Sequence, residues 1–389
     1  MEFSKEQISA LDAIHKHDWS KPFFLGGYAG TGKTTVLKEL AKRYEKIAFL
    51  APTGKACQVL QSKMPDAKIR TIHSALYAAD EITDKKLREL KEEADAGDTQ
   101  AKSLFEYYTK PDVLRVRFSM KPWEGFATHL IVVDEASMVG QKEYDNLVSV
   151  SPKIVFVGDP AQLPPVESPS ILPDVFDSFL HTVHRAAMDS PITRLAMSIR
   201  DGSFKDWDRW SDEGIHILHK LDRRLLKGAD QIISPMRKTK DTVNKVLRLN
   251  HEEIYPMAGD KIIVRQNVRR ETGSYLVNGD IGEVERVSRN YMLAKFGYDR
   301  SPLRGFMYCD EEIARAYNAT PKYPREKNTV RVDYAYGITV HSSQGSEWKN
   351  VLFVDDGMWS GRKEQRRSLV YTAVTRASEN LSVYIGKRK

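Results

Sequence analysis

The sequence lacks several features that would assign it to a specialised class of protein. It has two cysteines among 389 residues, Cys57 and Cys309, and they stand apart from each other and from any histidine cluster. This spacing suggests neither a disulfide framework nor a zinc site. No apolar run approaches the roughly 20 residues that a membrane helix requires, and residues 1–6 lack a signal-peptide core. We therefore expect a cytoplasmic protein.

Strong charge imbalance and low-complexity segments are also missing. The 60 basic and 53 acidic residues give a net charge of +7 and a pI near 9.0. This balance is compatible with a polyanionic partner but too mild to identify one. With 41% hydrophobic and 29% charged residues, the chain can form two or three domains with hydrophobic cores, and its composition excludes disordered and fibrous proteins.

The most specific signal that is present is a phosphate-binding loop. Residues 27–34 read GYAGTGKT directly after the apolar run 23–25, and residues 35–40 have helical spacing. Glycines let backbone N–H groups turn around a phosphate, the lysine supplies charge, and the threonine hydroxyl suits Mg²⁺. The loop therefore predicts binding and hydrolysis of a nucleoside triphosphate together with Mg²⁺. The residues expected to bind it are Gly27, Gly30, Thr31, Gly32, Lys33, Thr34 and Thr35.

Short apolar runs predict two α/β cores. Each run is typical of a strand buried on both faces of a parallel sheet, and those of the first half are followed by specific polar residues. Ligands of open α/β sheets bind at the carboxyl ends of such strands. The runs are 23–25, 47–50, 130–133 and 154–157 in the first half, and 231–234, 337–340, 351–354 and 381–385 in the second.

Two stretches of the sequence do not follow this pattern of buried strands. Residues 81–109 are charged and helical in spacing, and residues 114–120 alternate like a half-exposed strand, which a hairpin through 121–126 would follow. The second interruption, at about 256–336, contains several short strand candidates and an Asn-Gly-Asp turn at 278–280. It predicts a small β-rich insert.

Two carboxylates follow the run 130–133 and complete the chemistry of the phosphate loop. We assign Asp134 to Mg²⁺, together with Thr34, and Glu135 to orienting or deprotonating the attacking water. Gln162, in the segment 158–165, could reach the γ-phosphate from the fourth strand. Arginine stabilises the transition state of phosphoryl transfer, often from a second domain, and Arg185 and Arg376 are the candidates.

Taken in order, these motifs resemble those of superfamily-1 helicases of the RecD/Dda branch. The resemblance covers nearly the whole chain, which begins close to the motor and in its compactness is similar to Dda. Arg185 departs from the pattern, because Ala186 follows it where the family often has glutamine. The matching segments are 27–34 (Walker A), 51–56 (Ia), 71–76 (Ib), 134–138 (Walker B), 158–165 (III), 338–347 (V) and 369–378 (VI).

The resemblance implies an α/β fold of two RecA-like P-loop NTPase domains. The first would span residues 1–185, with an insert at about 77–128 that carries a strand-separating pin hairpin. The second would span residues 186–389 and hold an SH3-like insert at about 256–336. Trp123 and Phe126 are candidates for strand separation, although packing of the hairpin on its own domain explains them equally well.

The resemblance also implies an ATP-dependent helicase or translocase that moves 5′ to 3′ on single-stranded DNA and unwinds duplexes. Gln7 is similar to the family's adenine-reading glutamine, and motif V adds Gln344, Gly345 and Glu347 to the ATP site. The implied contacts to DNA are Pro52, Thr53, Thr71, His73, Thr339 and His341.

Other functions remain compatible with parts of the sequence. An RNA helicase, or a translocase that does not unwind, would carry the same motifs. A small-molecule P-loop kinase would need the loop and a carboxylate but no second α/β core. The expected partners are single-stranded DNA, duplex junctions, and single-strand-binding, replication, recombination or repair proteins. We expect a monomeric motor in the cytoplasm of a bacterium or of a phage-infected host.

Overall fold

The computed structural model describes most of the chain. It covers residues 3–386 apart from 110–115, 121–128, 152, 166–167, 184–187, 250–255, 266–267, 270–274, 277, 288–291, 297–298, 309–328 and 358–361. Three predicted site residues, Trp123, Phe126 and Arg185, lie outside the described residues. Within the described part, no helix is both long enough and apolar enough to cross a bilayer.

Strands form the framework of both cores. In chain order they are β1 (Phe23–Gly27), β2 (Ile47–Ala51), β3 (Ile69–Thr71), β4 (Tyr77–Glu81), β5 (Val116–Met120), β6 (Leu130–Val133), β7 (Ile154–Gly158), β8 (Ser178–Leu180), β9 (His216–Leu218), β10 (Gln231–Ser234), β11 (Lys261–Val264), β12 (Val268–Arg269), β13 (Tyr275–Leu276), β14 (Ile281–Val287), β15 (Met292–Phe296), β16 (Asp299–Tyr308), β17 (Thr329–Tyr334), β18 (Gly337–Thr339), β19 (Trp348–Asp355) and β20 (Ala377–Ile385).

Helices connect these strands. They are α1 (Lys5–Lys16), α2 (Lys33–Arg43), α3 (Gly54–Lys63), α4 (Ile72–Leu76), α5 (Asp84–Asp95), α6 (Thr99–Tyr108), α7 (Gln141–Val150), α8 (Pro191–Arg200), α9 (Arg223–Gly228), α10 (Arg237–Leu247), α11 (Val340–Ser343) and α12 (Lys363–Val374), with 3₁₀ helices at Ala136–Met138 and Asp208–Glu213.

The first core is built on a parallel sheet. Among the described residues its six strands lie in the order β3-β2-β6-β7-β1-β8, and every residue of β6 and β7 is buried. Hydrophobic clusters cover both faces of this sheet, which explains why its strands read as continuous apolar runs. The loops after β1, β2, β6 and β7 therefore meet at one edge, where the sequence places its motifs.

The insert of the first core is a two-stranded ladder that carries two helices. β4 pairs antiparallel with β5, and Tyr77 stands opposite Met120. The helices α5 and α6 lie between the two strands along the chain and pack on each other through Leu90 and Ala101. Sequence reasoning predicted the helices and the later strand but did not identify β4. The predicted hairpin through 121–126 lies outside the described residues.

The second core repeats the parallel arrangement. Its sheet has the order β18-β10-β19-β20-β9 in the described part of the chain, and each neighbouring pair is parallel. All eight predicted apolar runs form strands, except that Val340 at the end of the run 337–340 begins α11, so the structure confirms the expected fold of two α/β cores. The first sheet ends with β8 at Leu180, and α8, from Pro191, packs in the second core. The boundary at 185/186 stays a prediction.

A small barrel is inserted in the second core. In the described part of residues 256–336, β11, β14, β15, β16 and β17 close on themselves around a cluster that includes Ile262, Val264 and Phe296. The barrel is fastened to α10 by a buried ion pair, 2.8 Å, between Lys240 and Asp333. The predicted β-rich insert is therefore present, whereas its likeness to an SH3 domain stays a prediction.

Candidate nucleotide and nucleic-acid site

The phosphate-binding loop has the geometry that its sequence predicts. Gly30 and Gly32 have φ values of 78° and 82°, in the left-handed region that other residues avoid, and the loop leads from β1 into α2. The Lys33 Nζ donates to the carbonyl oxygens of Gly27 (2.7 Å) and Tyr28 (3.0 Å). Its charge is therefore held inside the loop, where a bound phosphate would meet it.

Gln7 lies against this loop from α1. Its side-chain oxygen accepts from the Ser4 backbone N–H at 2.9 Å, while its Nε2 donates to the Gly32 carbonyl at 3.4 Å. The residue is buried. The capping box of α1 thus places the amide at the edge of the phosphate loop, and the adenine contact stays a prediction.

Two adjacent carboxylates follow β6. Burial, and then the neighbouring Glu135, raise the pKa of Asp134 to about 6, against the opposing effect of Lys33. Glu135 has φ 53° and ψ 41°, a left-handed conformation that costs a non-glycine residue about 1–2 kcal/mol. Such strain is common at functional sites because the surrounding structure imposes it.

Gln162 lies in the turn after β7. Asp159 builds this turn, because its Oδ1 accepts from the Ala161 N–H at 2.9 Å and its carbonyl accepts from the Gln162 N–H at 3.2 Å. Both Asp159 and Gln162 are buried. Among the described residues, Gln162 Oε1 has no hydrogen-bond partner. A buried amide oxygen without a partner is costly, so this atom marks a polar site close to the phosphate loop.

Tyr371 and Arg200 of the second core contact the phosphate loop. The Tyr371 hydroxyl, on α12, accepts from the Ala29 N–H at 3.1 Å and donates to Asp159 Oδ2 at 2.7 Å. The Arg200 guanidinium, at the end of α8, lies 3.9 Å above the centre of the Tyr28 ring, within the range of a cation–π contact. The phosphate loop therefore lies in a cleft between the two cores.

Of the two predicted transition-state arginines, only Arg376 is described. It is buried, and its guanidinium donates to Thr372 O (3.0 Å), Ser346 O (3.1 Å) and Thr375 Oγ1 (3.2 Å). All three acceptors belong to the second core. The structure thus anchors Arg376 beside Thr372, the neighbour of Tyr371, and its contact with a γ-phosphate stays a prediction.

The three candidates of motif V face the first core. Gln344 Nε2 donates to the Leu163 carbonyl at 2.9 Å, and the Glu347 carboxylate lies 3.2 Å from Lys63 Nζ. Gly345 has φ 67° and packs against Ala56. These contacts join motif V to the turn after β7 and to α3. The direct ATP contacts expected of these residues stay predictions.

The predicted DNA-contacting threonines share one geometry. Each caps a helix that follows a parallel strand, because its hydroxyl oxygen accepts a backbone N–H: Thr53 from Ala56 (3.2 Å), Thr71 from Ser74 (3.1 Å) and Thr339 from Ser342 (3.3 Å). A hydroxyl that accepts such a bond keeps its own proton to donate. Thr53 and Thr71 therefore place donors at strand ends of the first core, where a phosphate backbone could accept from them, and Thr339 of the second core shares a hydrogen bond with the Ser342 hydroxyl at 3.0 Å.

The two predicted histidines occupy different settings. His73 is exposed, and its ring lies 4.8 Å from that of Tyr77. His341 is half-buried, and burial and then the nearby Arg237 lower its pKa, which favours the neutral imidazole in the free protein. Pro52 lies between β2 and the cap residue Thr53. The DNA contacts of all three stay predictions.

Sequence reasoning missed the residues that connect the cores. Tyr371 and Thr372 stand within motif VI and Asp159 within motif III, but nothing in their spacing indicates that they touch. Thr372 Oγ1 accepts from the Leu163 N–H at 3.0 Å, which places Leu163 in the hydrophobic core of the second domain. No sequence pattern indicated a role for Arg200, because a single arginine in a helix is usually a surface cation.

Comparison with known protein families agrees with this architecture. The family described as "AAA domain" matches residues 2–220, which is more than half of the chain, and the "UvrD-like helicase C-terminal domain" matches residues 334–384. The first match contains the phosphate loop, Asp134, Glu135 and Gln162. The second contains motif V, Tyr371 and Arg376.

Individual proteins show the same relationship. The ATP-dependent RecD2 DNA helicase of Deinococcus radiodurans is 26% identical over 97% of this chain, and the uncharacterised protein MJ1519 of Methanocaldococcus jannaschii is 26% identical over 93%. This chain spans 48% of the length of RecD2 and 36% of the length of MJ1519. The remaining parts of both relatives lie outside the alignment with this chain.

Solved structures show the same fold. The Bacteroides Pif1 helicase, crystallised with single-stranded DNA, superposes with a TM-score of 0.56 and 17% identity, and covers 98% of this chain and 92% of its own. At this identity the likeness concerns the fold. The family match over residues 2–220 shows that the chain belongs to the AAA-domain family, and its sequence is similar to that of the RecD2 DNA helicase.

Proposed function

We propose that this protein is an ATP-driven motor that moves along single-stranded DNA from 5′ to 3′ and unwinds duplex DNA. One observation carries the proposal: the phosphate loop lies between two α/β cores, with Ala29 bonded at 3.1 Å to Tyr371 of the second core. A change at the phosphates therefore acts on the contact between the cores. A small-molecule kinase needs no such second core.

The residues of the cleft fit ATP hydrolysis. Lys33 would compensate phosphate charge, and Glu135, strained at φ 53°, would orient the attacking water. Arg185 and Arg376 would stabilise the charge that develops in the transition state. Gln162, which is buried in the turn after β7, would respond to the γ-phosphate without adding charge.

Magnesium fits the donor set at this site. Thr34 supplies a hydroxyl and Asp134 a carboxylate, the oxygen ligands that Mg²⁺ prefers. The pKa of Asp134 is raised to about 6 by burial and by Glu135, so a cation would relieve the repulsion between the two carboxylates. When bound, Mg²⁺ would neutralise charge on the phosphates.

The strand would be held by donors from both cores. Thr53, Thr71 and His73 belong to the first core, and Thr339 and His341 to the second. Since contacts to phosphate and sugar read no sequence, binding should be largely sequence-independent. If the two sets grip alternately as the cleft closes and opens, each ATP moves the protein along the strand. Such a motor would work in the cytoplasm with single-strand-binding, replication or recombination proteins.

An unwinding assay tests this function. Duplexes that carry a 5′ DNA tail, a 3′ DNA tail or a 5′ RNA tail are incubated with ATP, and strand displacement and phosphate release are measured together. We expect displacement from the 5′ DNA tail and ATPase stimulation by single-stranded DNA. Lys33→Ala, which removes the phosphate-compensating charge, is the inactive control.

Each of the other possible results would indicate a different activity. Displacement from the 3′ tail alone would reverse the polarity, and preference for the RNA tail would indicate an RNA helicase. Stimulated ATPase without displacement would indicate a translocase. ATP turnover that DNA does not change would contradict the motor function.

A further inference from the structure

The Tyr371 hydroxyl is the point at which three elements of the nucleotide cleft meet. It accepts from the Ala29 N–H at 3.1 Å and donates to Asp159 Oδ2 at 2.7 Å, and the residue is 2% exposed. Burial, and then Asp159, raise the pKa of this hydroxyl well above its ordinary value. It therefore keeps its proton at neutral pH and satisfies a donor and an acceptor at the same time.

The bond to Asp159 extends this link to the turn that carries Gln162. Asp159 Oδ1 accepts from the Ala161 N–H at 2.9 Å, and its carbonyl accepts from the Gln162 N–H at 3.2 Å. One carboxylate thus fixes the turn with one oxygen and holds Tyr371 with the other. The hydroxyl of a second-core residue consequently sets the distance between the phosphate loop and the turn of Gln162.

Neighbouring contacts make α12 move together with both loops. Thr372 Oγ1 accepts from the Leu163 N–H at 3.0 Å, and Arg376 Nε donates to the Thr372 carbonyl at 3.0 Å. Arg200 lies over the ring of Tyr28, the residue before Ala29. A rotation of the second core therefore cannot leave the phosphate loop and the turn of Gln162 unchanged.

Building on the proposed motor function, we propose that Tyr371 is a positioning residue that couples nucleotide binding to DNA binding. Its hydroxyl transmits to α12 any displacement of Ala29 or Asp159, and α12 belongs to the core that carries Thr339 and His341. The coupling is reciprocal: nucleotide changes DNA affinity and DNA changes nucleotide affinity by the same factor.

The test compares two Tyr→Phe variants. Tyr371→Phe removes only the oxygen and keeps the ring. Tyr336→Phe is the matched control, because the Tyr336 hydroxyl also donates to a carboxylate, Asp260 Oδ1, at 2.8 Å, but at the junction of the barrel and the second core. For each protein, fluorescence anisotropy measures the affinity for a labelled single strand with and without a non-hydrolysable ATP analogue. Melting temperature and the affinity for a fluorescent ADP are also measured.

We expect the analogue to change DNA affinity about fivefold or more in the wild type, the lower end of ordinary coupling. Tyr371→Phe should reduce this factor below about twofold, whereas Tyr336→Phe should keep it. Tyr371→Phe should lose more melting temperature than Tyr336→Phe, since the buried Tyr371 hydroxyl makes two hydrogen bonds and the half-buried Tyr336 hydroxyl makes one to a carboxylate. Affinity for ADP, which has no γ-phosphate, should change little in either.

A wild-type coupling factor in Tyr371→Phe would overturn the inference, and so would an equal loss in both variants, since that would show a purely structural role. If Tyr371→Phe does not fold, Asp159→Asn replaces it: this variant keeps the shape but loses the charge that strengthens the bond. Undiminished coupling in Asp159→Asn would also overturn the inference. Absence of both coupling and DNA-stimulated ATPase in the wild type would instead contradict the proposed function.

Discussion

Gly345 and Ala56 touch where the two cores meet. A Cβ atom built on Gly345 would lie 2.9 Å from the Cβ of Ala56 and 3.3 Å from its Cα. Gly345 follows α11 of the second core with φ 67°, and Ala56 is in the first turn of α3 of the first core. Because both the space and the φ value exclude a side chain, glycine sets how closely motif V and motif Ia approach each other.

Gly345→Ala should therefore separate the cores, and Gly97→Ala is its control. Gly97 also has a positive φ, 101°, but nothing lies within 4 Å of its Cβ position. Both variants incur the left-handed cost of about 1–2 kcal/mol, which calorimetry measures. Only Gly345→Ala should lower DNA-stimulated ATPase, by about tenfold or more. Equal ATPase in the two variants would show that the close contact has no functional role.

Glu135→Gln should bind ATP normally and slow hydrolysis by about 10²–10⁴-fold, the usual range for loss of a general base. Single-turnover kinetics with labelled ATP separates binding from hydrolysis. If Glu135→Gln hydrolyses ATP at the native rate, a residue other than Glu135 orients the attacking water.

The strained backbone at Glu135 allows a second test, in which melting temperature is measured. Glu135→Gly and Glu135→Ala both remove the carboxylate, but only glycine accepts φ 53° without strain. We expect the glycine variant to melt above the alanine variant, although neither hydrolyses ATP. The reverse order would show that the backbone relaxes when the side chain is lost.

Thr53→Val should weaken binding of single-stranded DNA several-fold, because it removes a hydroxyl that lies at the end of β2. It should also cost about 1 kcal/mol of stability through loss of the helix cap. Thr53→Ser keeps both groups and should resemble the wild type. The control is Thr83→Val, which removes the cap of α5 (Thr83 accepts from Lys86 N–H at 3.2 Å) in the insert. A similar loss of DNA affinity in Thr83→Val would attribute the effect to stability alone.

Lys261 should make stability rise with pH above about 8. Burial lowers its pKa from 10.5 to about 8, helped by Lys55 and opposed by Asp230. Between these two values the unfolded chain binds a proton that the folded protein does not, so stability increases with pH. Urea unfolding at pH 7.5 and 9.5 should show the wild type gaining about 1–2 kcal/mol relative to Lys261→Met. Parallel pH profiles would mean that the pKa is not lowered.

Replacement of Trp123 and Phe126 by alanine should separate unwinding from ATP hydrolysis. β5 ends at Met120, opposite Tyr77, and Tyr77 contacts His73, a predicted DNA contact. Stacking on a base contributes about 1–3 kcal/mol. We expect unwinding to fall while DNA-stimulated ATPase and melting temperature persist.

Other outcomes of this double replacement have separate meanings. Joint loss of melting temperature and both activities would indicate that the aromatics pack on their own domain, at about 3–5 kcal/mol each. Unchanged unwinding by a stable variant would exclude the pin role and direct attention to Phe118 and Met120.

The sequence by itself determined the two cores and the phosphate loop. Strands buried on both faces, such as β6 and β7, must be apolar throughout, and this pattern is local and readable. The same holds for the loop at 27–34, whose glycines at φ 78° and 82° satisfy a backbone requirement that few other residues meet. The same local pattern located Asp134 and Glu135 directly after β6 and Gln162 in the turn after β7.

Only the tertiary structure decided which residues join the cores. Ala29 and Tyr371 are 342 positions apart, and Leu163 and Thr372 are 209 apart, so no periodicity or spacing relates them. Likewise, the sequence did not predict β4, because the strand that it pairs with, β5, follows two intervening helices in the chain. A hydrogen bond depends on where two surfaces meet after packing, whereas an apolar run or a glycine depends on its own few residues. Short local sequence patterns therefore identify the residues of the nucleotide site. The contacts that couple this site to the second core depend on residues far apart in the chain.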